Sequence, residues 1–471
     1  MKRERKYCLF ILMAVLLGTV FLFQKVQATE YRQPEVKIFN TQNLQLEKSF
    51  LAFDGAFKGG AVAAIGDLGG DGQNEIIVAP GPGGGPHIKI FRYDGSYASG
   101  FFAYNTEYRK GINLAVGDLD GDGKDEIITS TRYGGTPHVR IFDGYGYPKF
   151  TWGFFAFAED FQGGVNVAAC DLNGDGKKEI IAAAGPGGGP QARVFNQAGE
   201  YLGLDFYPFS PDEKGGLTVA CANVDGGLED EITFGVQVGE PWVKVYKANG
   251  IILGQFLAYD QNFKGGVNVA GGDIDQDGLD EIVTAANYGG GPHVRSFEAY
   301  GLATPKSFFA FEAEFRAGTL VTVGDANNDG IDEIVVSPNR RSTEGRTDLA
   351  EYIEIDISEQ KLRYYEGGYL RGEFAVSTGK WSMPTPIGTF AIMNKMPRAY
   401  SGKYNLYMPY WMQFHPGGYG IHELPEWANG YKEGQNHLGI RVSHGCVRLG
   451  IGPAQELYNW AEVGTVVIVK D

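Results

Sequence analysis

Six copies of an acidic, glycine-bearing loop constrain this 471-residue chain more than any other feature. They begin at Asp67, Asp118, Asp171, Asn223, Asp273 and Asp325, so successive starts lie 51, 53, 52, 50 and 52 residues apart. A period near fifty, filled with short β-like runs, predicts a propeller or another repeat array. Residues 112–157 show the unit: Ile112–Val116, Glu126–Ser130, His138–Phe142 and Phe154–Phe157 are strand-like. Clusters such as Gly134-Gly135-Thr136-Pro137 separate them. Four strands per unit make one propeller blade. Val36-Lys37-Ile38-Phe39 matches the third run of a unit, whereas the sixth unit stops at Pro338 without one. The N-terminal piece is therefore expected to complete the last blade and lock the ring. The count is six blades, with seven the alternative.

The loops carry a recognisable ligand spacing. Oxygens at positions 1, 3 and 5, a backbone carbonyl at 7 and a carboxylate at 9 can wrap one hard cation, with Gly at 6 allowing the turn. Four units meet this pattern. They are Asp118, Asp120, Asp122, Lys124 and Glu126; Asp171, Asn173, Asp175, Lys177 and Glu179; Asp273, Asp275, Asp277, Leu279 and Glu281; and Asp325, Asn327, Asp329, Ile331 and Glu333. The first unit has Gly69 at position 3 and is doubtful. The fourth has Asn223, Gly227 and Leu228 where Asp, Asp and Gly are wanted, and is expected to be dead. An EF-hand is a poor alternative, since position 12 of the second loop is Thr129 and the flanks are strands. The six units resemble FG-GAP or integrin-α-like calcium repeats. That resemblance implies structural Ca2+ that braces turns, with no cofactor for catalysis. His87, His138 and His293 recur at one place in the unit, with Gln191 and Trp242 in their stead elsewhere, and are read as a structural strand position.

Charge is uneven. Residues 29–348 hold 25 Lys+Arg against 44 Asp+Glu, whereas residues 349–471 are nearly balanced at 11 against 12. An acidic balance of this size argues against nucleic acid as a partner. The N-terminus pairs a basic leader, Lys2 to Lys6, with an uncharged run from Tyr7 to Phe23, and small residues follow at Val26-Gln27-Ala28. Residues 1–28 thus read as a signal peptide or a membrane anchor, which places the rest outside the cytoplasm, in a bacterial cell envelope. This segment is expected to contact the membrane at least transiently. Cys170 and Cys221 lie one register step apart in adjacent units, so they are expected to face oppositely and to serve as small buried hydrophobes rather than a disulfide. Cys446 is left alone, as a reactive thiol would be.

The domain division expected is a propeller over 29–339, a polar linker over 340–350 and a second, mostly β domain over 351–471. Ala454 to Trp460, after Pro453, is its best helix. The stretch Ser443-His444-Gly445-Cys446-Val447-Arg448 sets a thiol beside an imidazole and a flexible amide, and Gly420-Ile421-His422 supplies a second histidine. That combination suits thiolate activation and oxyanion binding. With Ser377-Thr378-Gly379, Thr385-Pro386-Ile387-Gly388-Thr389-Phe390 and Gly464-Thr465-Val466-Val467, it resembles the L,D-transpeptidase catalytic domain (the YkuD fold) over roughly 120 residues.

The resemblance implies Cys446 as nucleophile and His422 as base, oriented by the carbonyl of Glu423. It also implies oxyanion donors at His444, Gly445 and Cys446, with Ser443 in the same box. Arg448 would brace the loop or meet a substrate carboxylate. Twenty residues separate His422 from Ser443, more than the family usually shows. This insert, with Trp427 and Tyr431, is expected to form a lid, or to offer His437 as a rival base. Trp411 is a candidate for the acyl-donor groove or for the core. The implied reaction acts on peptidoglycan stem peptides through a thioester to form crosslinks. Trimming by an L,D-carboxypeptidase is the nearest alternative, and a surface adhesion or scaffold propeller a more distant one. The implied ligand of the propeller is a wall polymer or a protein.

Overall fold

The computed structural model describes residues 32–150, 152–339, 349, 351–366 and 369–471. The basic leader, the apolar run and nearly all of the linker lie outside the described residues.

Six four-stranded antiparallel sheets are built from residues 35–338. Their innermost strands are Ala61–Gly66, Ile112–Gly117, Val165–Cys170, Leu217–Ala222, Val267–Gly272 and Thr319–Gly324. Each packs against the next, and Thr319–Gly324 returns to Ala61–Gly66. The ring therefore closes at six blades, and the seven-bladed alternative is excluded. Closure uses the N-terminus as the sequence anticipates: Glu35–Phe39 pairs with Glu333–Pro338, Ile38 opposite Val335, and Leu46–Leu51 forms the outer strand. Alternation explains the stacking. Ile127, Ile128, Val139 and Ile141 are essentially inaccessible, because both faces of a middle strand press on neighbouring blades.

Side-chain amides stitch the blades at the centre. Asn113 Nδ2 donates to the carbonyl of Val165 at 2.7 Å, Asn166 to Leu217 at 2.6 Å and Asn268 to Thr319 at 2.8 Å. Where blade four has Thr218 instead, its hydroxyl reaches the Val267 carbonyl at 2.8 Å.

One expectation fails. Cys170 and Cys221 form a disulfide, with Cα atoms 5.5 Å apart. Opposite facing keeps two side chains apart only when their strands belong to one sheet. Neighbouring blades instead stack face against face, so the outward side of one inner strand meets the inward side of the next. Opposite orientation is what brings the two sulfurs together.

The second domain has a five-stranded sheet in the order Tyr369–Ala375, Lys361–Glu366, Glu351–Asp356, Val466–Lys470, Gly388–Ala391. A second sheet runs Asn394–Ser401, Leu406–His415, Tyr419–Glu423, Val447–Leu449. Ile353, Ile355, Met412, Phe414, Ile421 and Val447 fill the space between them, joined by Leu457 of the helix Pro453–Trp460. Proline occupies the first helical turn, where its missing N–H costs nothing.

Candidate active site and cation loops

The second sheet sets the chemistry. Tyr419–Glu423 and Val447–Leu449 run parallel, with His422 directly opposite Arg448, and Cys446 is the residue that leads into the shorter strand. A cavity of about 400 Å³ is lined by Cys446, His422, His444, Ser443, Arg448 and Trp411, among others. The sequence-predicted residues are thus gathered in one place.

The Ser443–Cys446 turn is held from within. Ser443 is fully buried; its hydroxyl donates to the Cys446 carbonyl at 2.5 Å and accepts from the Gly445 N–H at 3.1 Å. From outside, Ser377 and Arg448 exchange backbone hydrogen bonds at 3.0 Å, and the Ser443 N–H reaches the Thr378 carbonyl at 3.0 Å. Thr378 is clamped by Gln360, and Thr385 Oγ1 accepts from the Gly379 N–H at 2.9 Å. The Ser-Thr-Gly and Thr-Pro motifs are therefore scaffolding for the turn. Gly445 has φ 109°, and a Cβ there would meet Tyr419 at 2.4 Å, so only glycine fits.

The Gly445 N–H, offered above as an oxyanion donor, is already engaged by Ser443. Among the described residues, no hydrogen bond within the chain occupies the N–H groups of His444 and Cys446. These two remain as donors. Glu423 supplies its carbonyl as expected: His422 Nδ1 lies 2.5 Å from it, and because a carbonyl only accepts, Nδ1 carries the proton. The Glu423 carboxylate is buried and paired to Lys432. Trp411 is 6% exposed, its ring 5.9 Å from that of His422, so it both lines the cavity and packs in the core.

Residues 350–469 match the family described as the L,D-transpeptidase catalytic domain, YkuD, and residues 67–129 and 118–182 match FG-GAP-like repeats. The C-terminal domain is of the YkuD type. The protein named as the L,D-transpeptidase YkuD of Bacillus licheniformis is 28% identical over 117 residues, 25% of this chain and 64% of that protein. A crystal structure of an L,D-transpeptidase from Stackebrandtia nassauensis is 26% identical, covering 27% of this chain and 58% of that one, with a TM-score of 0.23. An L,D-transpeptidase from Mycobacterium tuberculosis is 21% identical, covering 32% and 76%, with a TM-score of 0.23. The chain spans less than two thirds of the length of the first two.

Electrostatics in the YkuD-type domain favour neutral partners at rest. Burial lowers the His422 pKa to about 4 against the pull of the Glu423 carbonyl, and Arg448 pushes the same way. Burial raises the Cys446 thiol, partly offset by the Gly420 N–H and Arg448. The pair is accordingly thiol and imidazole rather than thiolate and imidazolium.

The insert is tied down by its own hydrogen bonds and contributes Pro425, Trp427 and Glu433 to the cavity lining. The N–H of Glu433 reaches the Pro425 carbonyl at 3.0 Å, Trp427 and Tyr431 close a turn at 2.9 Å, and Lys432 anchors it to Glu423. Trp427 lines the cavity, whereas Tyr431 is 61% exposed and His437 lies outside the lining. Sequence reasoning overlooked Glu433, which enters the cavity and accepts from Trp427 Nε1 at 3.0 Å. Its only sequence signal was the insert itself. Tyr404 was also missed; it stacks on His444 at 4.7 Å from the tip of a hairpin.

In the propeller the acidic loops are preformed. Asp118 accepts from Gly121 and Gly123 at 2.7 and 2.9 Å, and Asp273 from Gln276 and Gly278 at 2.6 and 3.0 Å. Carboxylate oxygens of Asp118, Asp120 and Asp122, and those of Asp273, Asp275 and Glu281, converge within 4.8 Å of one another. In blade three Asn173 donates to Glu179 at 3.0 Å, and in blade six Asn327 donates to Glu333 at 2.9 Å.

The chain neutralises some loops itself. Lys149 stands 2.8 Å from both Asp120 and Glu126, and in the defective fourth loop Lys247 pairs with Asp225. Among the described residues, no lysine or arginine pairs with the loop acids of blades five and six in this way. Burial, then repulsion from Asp275 and other acids, lifts Glu281 to about 7; burial, then Glu47 and Asp329, lifts Glu333 to about 8. In blade five the convergent Asp273, Asp275 and Glu281 fit a hard divalent cation, which would relieve that repulsion.

The three histidines have a plain role. His87, His138 and His293 each stack on the phenylalanine opposite in the outer strand, at 4.7, 5.0 and 4.9 Å.

Proposed function

We propose that the chain is an exported cysteine L,D-transpeptidase that crosslinks peptidoglycan stem peptides, with a calcium-braced propeller as its docking module. The observation that carries this reading is the convergence of Cys446 and a tautomer-fixed His422 in one cavity, which Trp427 also lines. As the Cys446 Sγ attacks the carbonyl carbon at the L-centre of a stem tetrapeptide, His422 Nε2 takes the thiol proton. The N–H groups of His444 and Cys446 face the oxyanion. The C–N bond to the terminal D-alanine breaks, and the imidazolium proton passes to the departing amine. The thioester is then opened by an acceptor amine whose proton returns through His422 to Cys446, leaving a new amide.

Water in place of the amine would make the enzyme a carboxypeptidase. Glu433 favours the amine, because a carboxylate at the cavity draws an ammonium-bearing acceptor inward. Arg448, with no side-chain partner among the described residues, suits a substrate carboxylate. The disulfide Cys170–Cys221 fits an oxidising compartment and so supports export from the cytoplasm into the cell envelope. Incubation of the exported portion with a stem tetrapeptide, with and without an amine acceptor, tests the assignment. Dimeric crosslinked product is expected with acceptor, and tripeptide alone in both reactions would assign a carboxypeptidase.

A further inference from the structure

The six blades serve as one another's comparison, and blade two departs from its siblings around one cavity. At the place of Tyr108 four other blades have Phe57, Phe161, Phe263 and Phe315. At the place of Thr131 the others have Pro80, Ala184, Val236, Ala286 and Pro338. Thr136 stands where three blades have glycine, at 85, 189 and 291. Tyr104, Tyr108, Thr131, Thr136, His138 and Trp152 line a cavity of about 350 Å³, the size of a small-ligand site.

The backbone is altered to make room. Among the described residues, blade two's outer strand spans only Phe154–Phe155, where Tyr97–Phe102 and Tyr201–Phe206 run six residues. Gly153, at φ 71° and pressed so closely on the Val139 carbonyl that a Cβ would lie 2.2 Å away, kinks the chain just before it. Trp152 is thereby turned outward, 82% exposed, while its carbonyl is held by His138 Nε2 at 2.5 Å.

The lining says what would bind. Aromatic faces dominate, and the buried Tyr108 hydroxyl, which lies beside Thr131 and the Arg132 backbone, makes no hydrogen bond of good geometry with either. The one cation, Arg140, is committed to the Ala103 carbonyl and lies over Phe142 at 4.9 Å. No charge is left to pair with an ion, and the acidic balance of residues 29–348 repels anions. A ligand with an apolar face for the rings and hydroxyls for Tyr108 and Thr136 fits; a pyranose has both. We propose that this pocket binds one residue of a neutral saccharide chain, so that the propeller grips a glycan rather than a peptide. The proposal rests on the docking half of the function above and is independent of the chemistry at Cys446.

The test is calorimetric titration of the whole exported portion with β-1,4-linked N-acetylglucosamine tetramer. Trp152→Ala, which removes an exposed ring and leaves the core alone, is expected to weaken binding about tenfold or more, and Tyr108→Phe to weaken it by a smaller factor. Absence of saccharide binding, binding indifferent to Trp152→Ala, or displacement of the sugar by a sugar-free stem peptide would each overturn it. Carbapenem labelling of Cys446 on the unaltered protein reads the catalytic assignment separately.

Discussion

His422 Nδ1 donates to the carbonyl of Glu423 at 2.5 Å, so the proposed base and the residue that orients it are neighbours in the chain. The bond leaves Nε2 as the nitrogen free to take a proton. His422→Ala should therefore lower the acylation rate of Cys446 by about 10² to 10⁴, the usual worth of a general base. His437→Ala should leave it unchanged, since that ring is outside the cavity. Stopped-flow acylation of the two variants decides between them.

The pH dependence follows from burial. With His422 lowered to about 4 and Cys446 raised, the imidazole is neutral and the thiol protonated across the neutral range. Acylation by substrate should be flat there and fall only as pH approaches 4. Alkylation of the free protein by iodoacetamide, which consumes pre-formed thiolate, should climb about tenfold per pH unit toward alkaline pH. A plateau of alkylation at mildly acid pH would instead reveal a resting ion pair.

Cys170–Cys221 closes a 51-residue separation across two blades. A loop of that length corresponds to about 4 kcal/mol of restricted unfolded-chain entropy, before any native strain is subtracted. The double Cys→Ala variant should melt several degrees lower than the parent by calorimetry, with its YkuD-type domain unaffected.

The cation loops make a linked prediction. Glu281 and Glu333 have folded pKa values raised to about 7 and about 8, above their ordinary 4.5. The folded state then holds more protons than the unfolded one between those values, so metal-free propeller stability should fall as pH rises from about 5 to 8. Calcium should remove that slope and raise the melting temperature. Asp275→Asn should diminish the calcium response more than Asp120→Asn, because Lys149 already neutralises blade two. Unchanged melting on chelation would remove calcium from the account.

Much of this was legible in the sequence because repetition reports on itself. The loop period gave the blade count, and Val36–Phe39 gave the closure. The box at Ser443–Arg448 and the Gly-Ile-His segment carried the active site, since their spacing is local and the sheet brings them into register. What escaped depended on packing between elements. The disulfide is not legible from strand alternation within one sheet, because blades meet face to face. Glu433 was invisible because nothing in a charged loop says which side chain turns inward. Lys149 was missed because it approaches Asp120 from 29 residues away. The engagement of Gly445 by Ser443 is likewise a matter of turn geometry that residue identity does not reveal.

The central claim is that Cys446 becomes an acyl-enzyme. Intact mass spectrometry of residues 29–471 after exposure to a carbapenem tests it, with Cys446→Ala alongside. A single adduct that disappears in the variant is the predicted result. A folded protein that takes no adduct, or one that takes it equally without Cys446, would contradict the account.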